Sequence, residues 1–315
     1  MYSSWPGARL ASQPPGSIFK IAQGLVGLQE GTLTPDTKHH CAGSYSVGGN
    51  HSQGCHSHAS PLNLPEAIGN SCNTYFSIAF RAILDNSKNG TVRANYQTWR
   101  NDILSFGFGN KLGVDLPQER GGNVPSLAYY ERLFGNLRSG NIVSLSIGQA
   151  EMGTTVLQMA NFAATIANGG YFYTPHLIKQ INRRDTVPPQ YAQRQYTIVD
   201  TAHFGVIKKG MYHATTGPGG TARSVVIPGI EICGKTGTSE NPHGIPHSTF
   251  IAFAPKDNPK IAVAVYVENA GWGASYAAPV ASLMIEKYLT GEIKRILTEE
   301  RMLNFAVYDN REPAN

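Results

Sequence analysis

The chain has 315 residues, 41% of them hydrophobic and 15% charged, with 34 glycines and 19 prolines scattered along it. That length supports one large domain or two modest ones with a real core, and the composition excludes a disordered or low-complexity chain. The formal charge of +5 is mild, and the basic residues do not cluster beyond Arg183-Arg184 and Lys208-Lys209, which argues against nucleic-acid binding and leaves an anionic substrate sufficient.

Met1 to Leu10 lacks a basic segment followed by an apolar one, and no stretch approaches the ~20 apolar residues of a spanning helix. Pro14-Pro15-Gly16 disfavours helix. Ser17 to Gln29 then reads as one, with Ile18, Ile21, Ala22, Leu25 and Leu28 at helical spacing. Residues 31–64 are rich in Gly, Ser, His and Pro, have no period, and read as irregular. Pro65 to Leu84 reads as helix broken near Asn70 to Asn73, followed by helices over Tyr96 to Leu104 and Thr155 to Asn168. Glu231 to Gly234, Ser248 to Ala254 and Ile261 to Glu268 read as strands, with turns at Asn241-Pro242 and Asp257-Asn258-Pro259, before a closing helix over Ala278 to Leu289. Helices, then a strand meander, then a helix predict an α+β fold with an antiparallel sheet. The expected organisation is one domain, with a helical lobe about 18–222, a sheet lobe about 223–290 and a tail 291–315.

Three short motifs carry chemistry. Ser17-Ile18-Phe19-Lys20 sits on a first helical turn, where residues three apart share a face and the helix start favours a developing anion. A desolvated Lys20 there has the chemistry of a general base for Ser17. Ser71-Cys72-Asn73 falls at a helix break that aims polar side chains into a cleft. Lys235-Thr236-Gly237-Thr238 continues a predicted strand and offers a cation, two hydroxyls and a backbone rail for an extended peptide, with Gly237 admitting a ligand backbone. Each motif alone occurs by chance; their order along the chain, each on the element its chemistry needs, does not.

That order resembles the active-site serine penicillin-recognising enzymes, with their Ser-x-x-Lys, Ser-Asp-Asn and Lys-Thr-Gly motifs. Pro14 to Ser17 with Phe19-Lys20, Ile147-Gly148-Gln149 with Thr155 and Leu157 to Ala160, and Gly234 to Thr238 followed by Asn241 to Gly244 resemble more narrowly the transpeptidase domain of class B penicillin-binding proteins, of the penicillin-binding protein 2 kind. The resemblance runs from about Pro14 to Leu289. It implies the penicillin-binding-protein/serine β-lactamase-like fold and D,D-transpeptidase activity on peptidoglycan, without a catalytic cofactor. In that chemistry Ser17 attacks the penultimate D-Ala carbonyl of a stem peptide and Lys20 takes its proton. Ser71, bridging between Lys20 and Lys235, relays a proton to the leaving amine, and Asn73 orients the peptide amide and Lys20. The amides of Ser17 and Thr238 hold the oxyanion, and Lys235, Thr236 and Thr238 hold the substrate carboxylate. β-Lactams would stop at the acyl stage. The resemblance also implies a partner glycan polymerase, other elongation-complex proteins, and a place on the periplasmic face of the inner membrane.

Two departures stand out. Ala150 stands where the family usually has glycine, and only 16 residues precede Ser17, where the family has an anchor helix, a pedestal domain and the first sheet strand. The expectation is an excised piece. Two rival readings remain: a serine β-lactamase, for which Glu119 and Asn123 have the Glu-x-x-x-Asn spacing with Gly122 in place of Leu, and a non-catalytic β-lactam sensor or scaffold. Glu131 and Glu151 lack even the Asn.

Cys41, Cys55 and Cys72 share one window with His39, His40, His51, His56 and His58. A Cys41–Cys55 disulfide is one reading. The other is structural zinc held by Cys41, Cys55, His58 and Cys72, with His56 the substitute for His58; the family resemblance, in which some members hold a metal near this position, favours it. Cys233 reads as a small core residue, and His176, His203, His213 and His247 as surface or turn residues.

Overall fold

A computed structural model describes residues 11–48, 51–180, 187–241 and 244–305. The initial segment 1–10, the Arg183-Arg184 pair, Pro242-His243 and the last ten residues lie outside the described residues. After Pro14-Pro15 the chain makes a 3-10 turn, Gly16–Phe19, that runs directly into helix α1, Lys20–Gln29. All five apolar positions expected to face inward are buried.

Residues 31–64 are largely irregular as expected, but include an antiparallel hairpin of β1, Ser44–Gly48, and β2, His51–Gly54. Those strands are short and mostly polar, so they carry little strand signal. The broken helix is realised as α2, Leu64–Gly69, and α3, Asn73–Leu84. An Asn63–Glu66 capping box starts α2, and Cys72 Sγ caps α3 by accepting from Tyr75 N. Helices α4, Val92–Ser105, and α5, Leu127–Phe134, follow, then a 3-10 segment, Ser139–Ile147, and α6, Val156–Asn168, opened by a Thr155–Gln158 capping box.

Beyond α6 come β3, Tyr171–Tyr173, the short α7, Pro189–Ala192, β4, Arg194–Tyr196, which pairs with β3, and α8, Phe204–Thr216. Sequence reasoning missed all of these and α5. α8 turns Phe204, Ile207, Met211 and Ala214 inward and packs on α2, whose Ile68 lies against Gly210.

Strands β5, Cys233–Ser239, β6, His247–Ala254, and β7, Ile261–Val267, form an antiparallel sheet in that order. The first begins two residues later than Glu231 and runs through the whole polar motif rather than stopping at Gly234. Central β6 is buried on both faces. Ile251 and Phe253 join the core of the helical part, while Phe250, Ala252 and Ala254 pack on Ala277, Ala278, Ala281 and Ile285 of α9, Ala277–Thr290. A last helix, α10, Ile296–Leu303, occupies part of the expected tail. No helix among the described residues is long and apolar enough to cross a membrane.

Candidate active site

Three distant segments meet at the end of β5. Gly16 has φ 56°, a conformation that favours glycine, and a Cβ there would lie 2.5 Å from the Thr238 carbonyl oxygen. Gly16 N donates to Gly148 O at 3.0 Å, and Gln149 Nε2 donates to Thr238 O at 3.3 Å. Ser239 Oγ donates to Pro14 O at 2.5 Å. The Ser17 turn is thus sewn to both β5 and the Gly148-Gln149 turn, which sets half-buried Ser17 beside Thr238. Ala150 has φ 59°, so the departure from glycine places a side chain in left-handed backbone, at a cost of about 1–2 kcal/mol.

Ser71 also has positive φ, 56°, in the break between α2 and α3. Strained non-glycine backbone of this kind persists where packing imposes it and is common at functional sites. Here it holds Ser71 Oγ between two lysines. Lys20 Nζ donates to it at 3.2 Å and Lys235 Nζ at 2.8 Å. The remaining bonds of Lys20 run to Ser71 O at 2.6 Å and to Asn73 Oδ1. This corrects the expectation from spacing: the hydrogen bonds of Lys20 go to the second motif rather than to Ser17.

Both lysines are fully buried. Burial lowers Lys20 to about 8, against a smaller opposing pull from Cys55 and Cys72. Burial and then the charge of Lys20 hold Lys235 well below its ordinary value. Two ammoniums that share one hydroxyl in a buried site each disfavour the other's charge.

The cleft of ≈ 550 Å³ at this junction is lined by Ser17, Ser71, Asn73, Thr236, Gly237 and Thr238 of the expected set. Lys20 and Lys235 lie behind Ser71, reaching it by hydrogen bond. Gly237 is glycine for a different reason from the one expected. A Cβ there would meet Thr249 Oγ1, Ile18 and the Pro15 carbonyl, so it serves the packing of β5 on the Ser17 turn. The cleft also takes His56, Gln149, Thr221, Glu240 and Trp272, which sequence reasoning did not place in it. Thr221 accepts from Thr236 Oγ1 at 2.8 Å. Nothing in the sequence around Thr221 marks it, whereas Gly271-Trp272-Gly273, a large aromatic between glycines in a loop, was a usable signal.

None of the three glutamates weighed for a β-lactamase lines the cleft. Glu119 is buried and accepts from the amides of Leu112, Gly113 and Val114 at 2.7, 2.9 and 3.2 Å. Glu151 accepts from Tyr130 Oη at 2.8 Å, and Glu131 pairs with Arg93.

Behind Asn73, the ligand atoms of Cys41, Cys55, His58 and Cys72 all lie within 4.8 Å of one another. All four cysteines of the chain are free, so the alternative Cys41–Cys55 disulfide is not formed. Cys55 Sγ is 3.9 Å from Cys72 Sγ and 3.4 Å from His58 Nε2. Tetrahedral zinc with ordinary bond lengths sets sulfur–sulfur and sulfur–nitrogen separations of about 3.8 and 3.5 Å, so the donor set fits that ion. His58 Nδ1 is held by Ala59 O at 2.6 Å, which leaves Nε2 for the cluster. His56, the substitute ligand, lines the cleft instead. The cluster touches the second motif directly: Asn73 N donates to Cys55 Sγ at 3.2 Å and Asn73 Nδ2 to Gly54 O at 2.6 Å.

A buried serine–lysine pair and a second lysine at the edge of an antiparallel strand define the class of active-site-serine acyl-transfer enzymes. The model of the penicillin binding protein transpeptidase domain matches residues 10–286, and the chain belongs to that family. It is 30% identical over 255 residues to the peptidoglycan D,D-transpeptidase MrdA of Haemophilus influenzae, covering 74% of this chain and 37% of that protein. The crystal structure of Pseudomonas aeruginosa PBP2 in complex with WCK 5153 is similar at TM-score 0.78 and 31% identity, over 93% of this chain and 63% of that one. A chain from a structure on coordination of polymerization and crosslinking by a peptidoglycan synthase complex is similar at TM-score 0.77 and 27% identity, over 91% of this chain and 48% of that one. The chain thus spans under two thirds of the length of these relatives.

Proposed function

We propose that this chain is the catalytic domain of a peptidoglycan D,D-transpeptidase and that Ser17 is its nucleophile. The observation that carries the reading is Ser71 Oγ held between Lys20 and Lys235, beside Ser17 and the open edge of β5. A stem peptide ending in D-Ala-D-Ala lies along β5 with its carboxylate at Lys235, Thr236 and Thr238. Ser17 Oγ attacks the penultimate carbonyl as neutral Lys20 accepts its proton. The oxyanion sits between the amides of Ser17 and Thr238, each such donor contributing about 3 kcal/mol in acyl-transfer enzymes. The amide C–N bond then breaks, Ser71 passes a proton to the leaving D-Ala amine, and an amine of a neighbouring stem peptide displaces Ser17 from the ester. Asn73, braced by Gly54 O and bonded to Lys20, orients both the lysine and the peptide. β-Lactams acylate Ser17 in place of the peptide.

The unit is one domain with a helical lobe over about 18–222 and a sheet lobe over about 223–290. The shared core, which takes Ile251 and Phe253 of β6 together with Phe19, Phe76 and Trp99, supports that division into lobes of a single domain. The parent protein works at the periplasmic face of the inner membrane with a glycan polymerase. The likeness to a chain of a peptidoglycan synthase complex, in which polymerization and crosslinking are coordinated, supports that partnership. Cys41, Cys55, His58 and Cys72 hold a structural zinc, which takes no part in the chemistry.

The rival readings separate by the fate of the acyl group. Labelled benzylpenicillin is expected to leave a long-lived adduct, with D-Ala released from peptides ending in D-Ala-D-Ala. Rapid loss of the label would make the chain a β-lactamase, and a stable adduct without peptide turnover a sensor.

A further inference from the structure

Glu240 is the one carboxylate among the described residues lining the cleft, and the acyl transfer above does not use it. It stands one residue beyond β5 and continues the alternation of Thr236 and Thr238. Two residues of extended chain advance about 7 Å, so Glu240 lies past the oxyanion site, away from Thr236. It is exposed and has no hydrogen-bond or ion-pair partner among the described residues.

Trp272 lines the same cleft and is 70% exposed. Its place is fixed by backbone. A Cβ on Gly273 would lie 2.4 Å from Gly237 O, so the loop is pressed flat on β5 three residues from Glu240. Asn241 Nδ2 donates to Asn269 Oδ1 at 2.8 Å and Gly271 N to Pro246 O at 2.7 Å, tying the segment after Glu240 to the loop that carries Trp272. An aromatic face and an exposed carboxylate at one cleft mouth suit a cation on an aliphatic stem.

We infer that Glu240 and Trp272 form a subsite for the alkylammonium of a diamino acid residue in the stem peptide. The inference rests on the transpeptidase reading, in which one stem peptide supplies the amine that makes the cross-link; a donor stem of the same composition carries that amine too. A donor laid along β5, with its carboxylate at Thr236 and Thr238, continues past Thr238 toward Glu240. The ammonium therefore belongs either to the donor strand or to the incoming acceptor. In both cases Glu240 binds the cation and Trp272 covers its methylene stem.

The test uses two penicillins that differ only in charge, a 6-(6-aminohexanoylamido) derivative and its N-acetylated form. The unaltered chain is expected to acylate about fivefold faster with the free ammonium, a preference that added salt reduces. Glu240→Gln should bring the ratio to about one, Glu240→Asp should restore part of it, and Trp272→Ala should lower it. If the cation is the acceptor's, the penicillin ratio stays put, and Glu240→Gln instead lowers the share of acyl groups captured by added lysine amide relative to water. A Glu240→Gln protein that matches the unaltered chain in both ratios overturns the inference while leaving the transpeptidase reading standing. Failure of either penicillin to label Ser17 overturns that reading, and the inference with it.

Discussion

Replacing Lys20 with arginine should slow benzylpenicillin acylation by about a thousandfold, the scale of a lost general base, although the positive charge is kept. Arginine stays protonated at any workable pH and cannot accept the Ser17 proton. The pH profile supplies the second half of the expectation. Lys20 accepts a proton only when neutral, and burial lowers it to about 8. The acylation rate of the unaltered chain should therefore rise with pH through about 8 and then level, and Lys20→Arg should lose that limb. Lys20→Met, of similar length and uncharged, separates lost basicity from disturbed packing at this fully buried position. Thermal melts beside the rates show whether either variant has failed to fold. Acylation by Lys20→Arg within a few-fold of the unaltered chain would reduce the lysine to an electrostatic aid.

Metal removal should have the next largest effect. Loop 31–64 contributes few buried apolar side chains, so burial alone orders it poorly, whereas ligation at four points supplies folding free energy directly. About one zinc per chain is expected by elemental analysis, following the one-site ligand count. A chelator should lower the melting temperature by roughly 5–10 °C, consistent with several kcal/mol in a protein of this size. It should also slow acylation by about tenfold, because Asn73 is bonded to Cys55 Sγ and Gly54 O on the ligand loop and to Lys20 on the other side. Cys72→Ser should do the same. A disulfide in place of the ion expects the reverse sensitivities, loss with reductant and none with chelator. A metal-free chain of full stability and full acylation rate contradicts the proposal.

The candidate site side chains were legible because their chemistry is rare in combination: a serine before a lysine on a helix start, a serine–asparagine pair in a helix break, and a lysine with two threonines on a strand. That Ser71 bridges Lys20 and Lys235, across separations of 51 and 164 residues, was already implied by the family resemblance, whereas the passing-over of Ser17 by the Lys20 hydrogen bonds shows only in the fold. Helical periodicity found α1, α3 and α6 well, since each turns a continuous apolar stripe to the core. It missed α8, whose Gly205 and Gly210 weaken the signal, although Gly210 is what lets the helix approach Ile68. It began and ended β5 too early, because Lys-Thr-Gly-Thr-Ser is polar and its burial comes from long-range neighbours such as Phe250 opposite Thr236. The four metal-site candidates were readable from cysteine and histidine crowding, while the wiring of Cys55 to Asn73 depends on an N–H···S bond that no spacing announces.

The central claim is that Ser17 is the nucleophile of an acyl-enzyme. Intact-mass measurement after benzylpenicillin, followed by peptide mapping of the adduct, tests it most directly. One penicilloyl group per chain is expected, carried by the peptide that contains Ser17, and no adduct on Ser17→Ala, which should fold because alanine fits the half-buried first turn. An adduct mapped to another serine, or one that persists on Ser17→Ala, would contradict it.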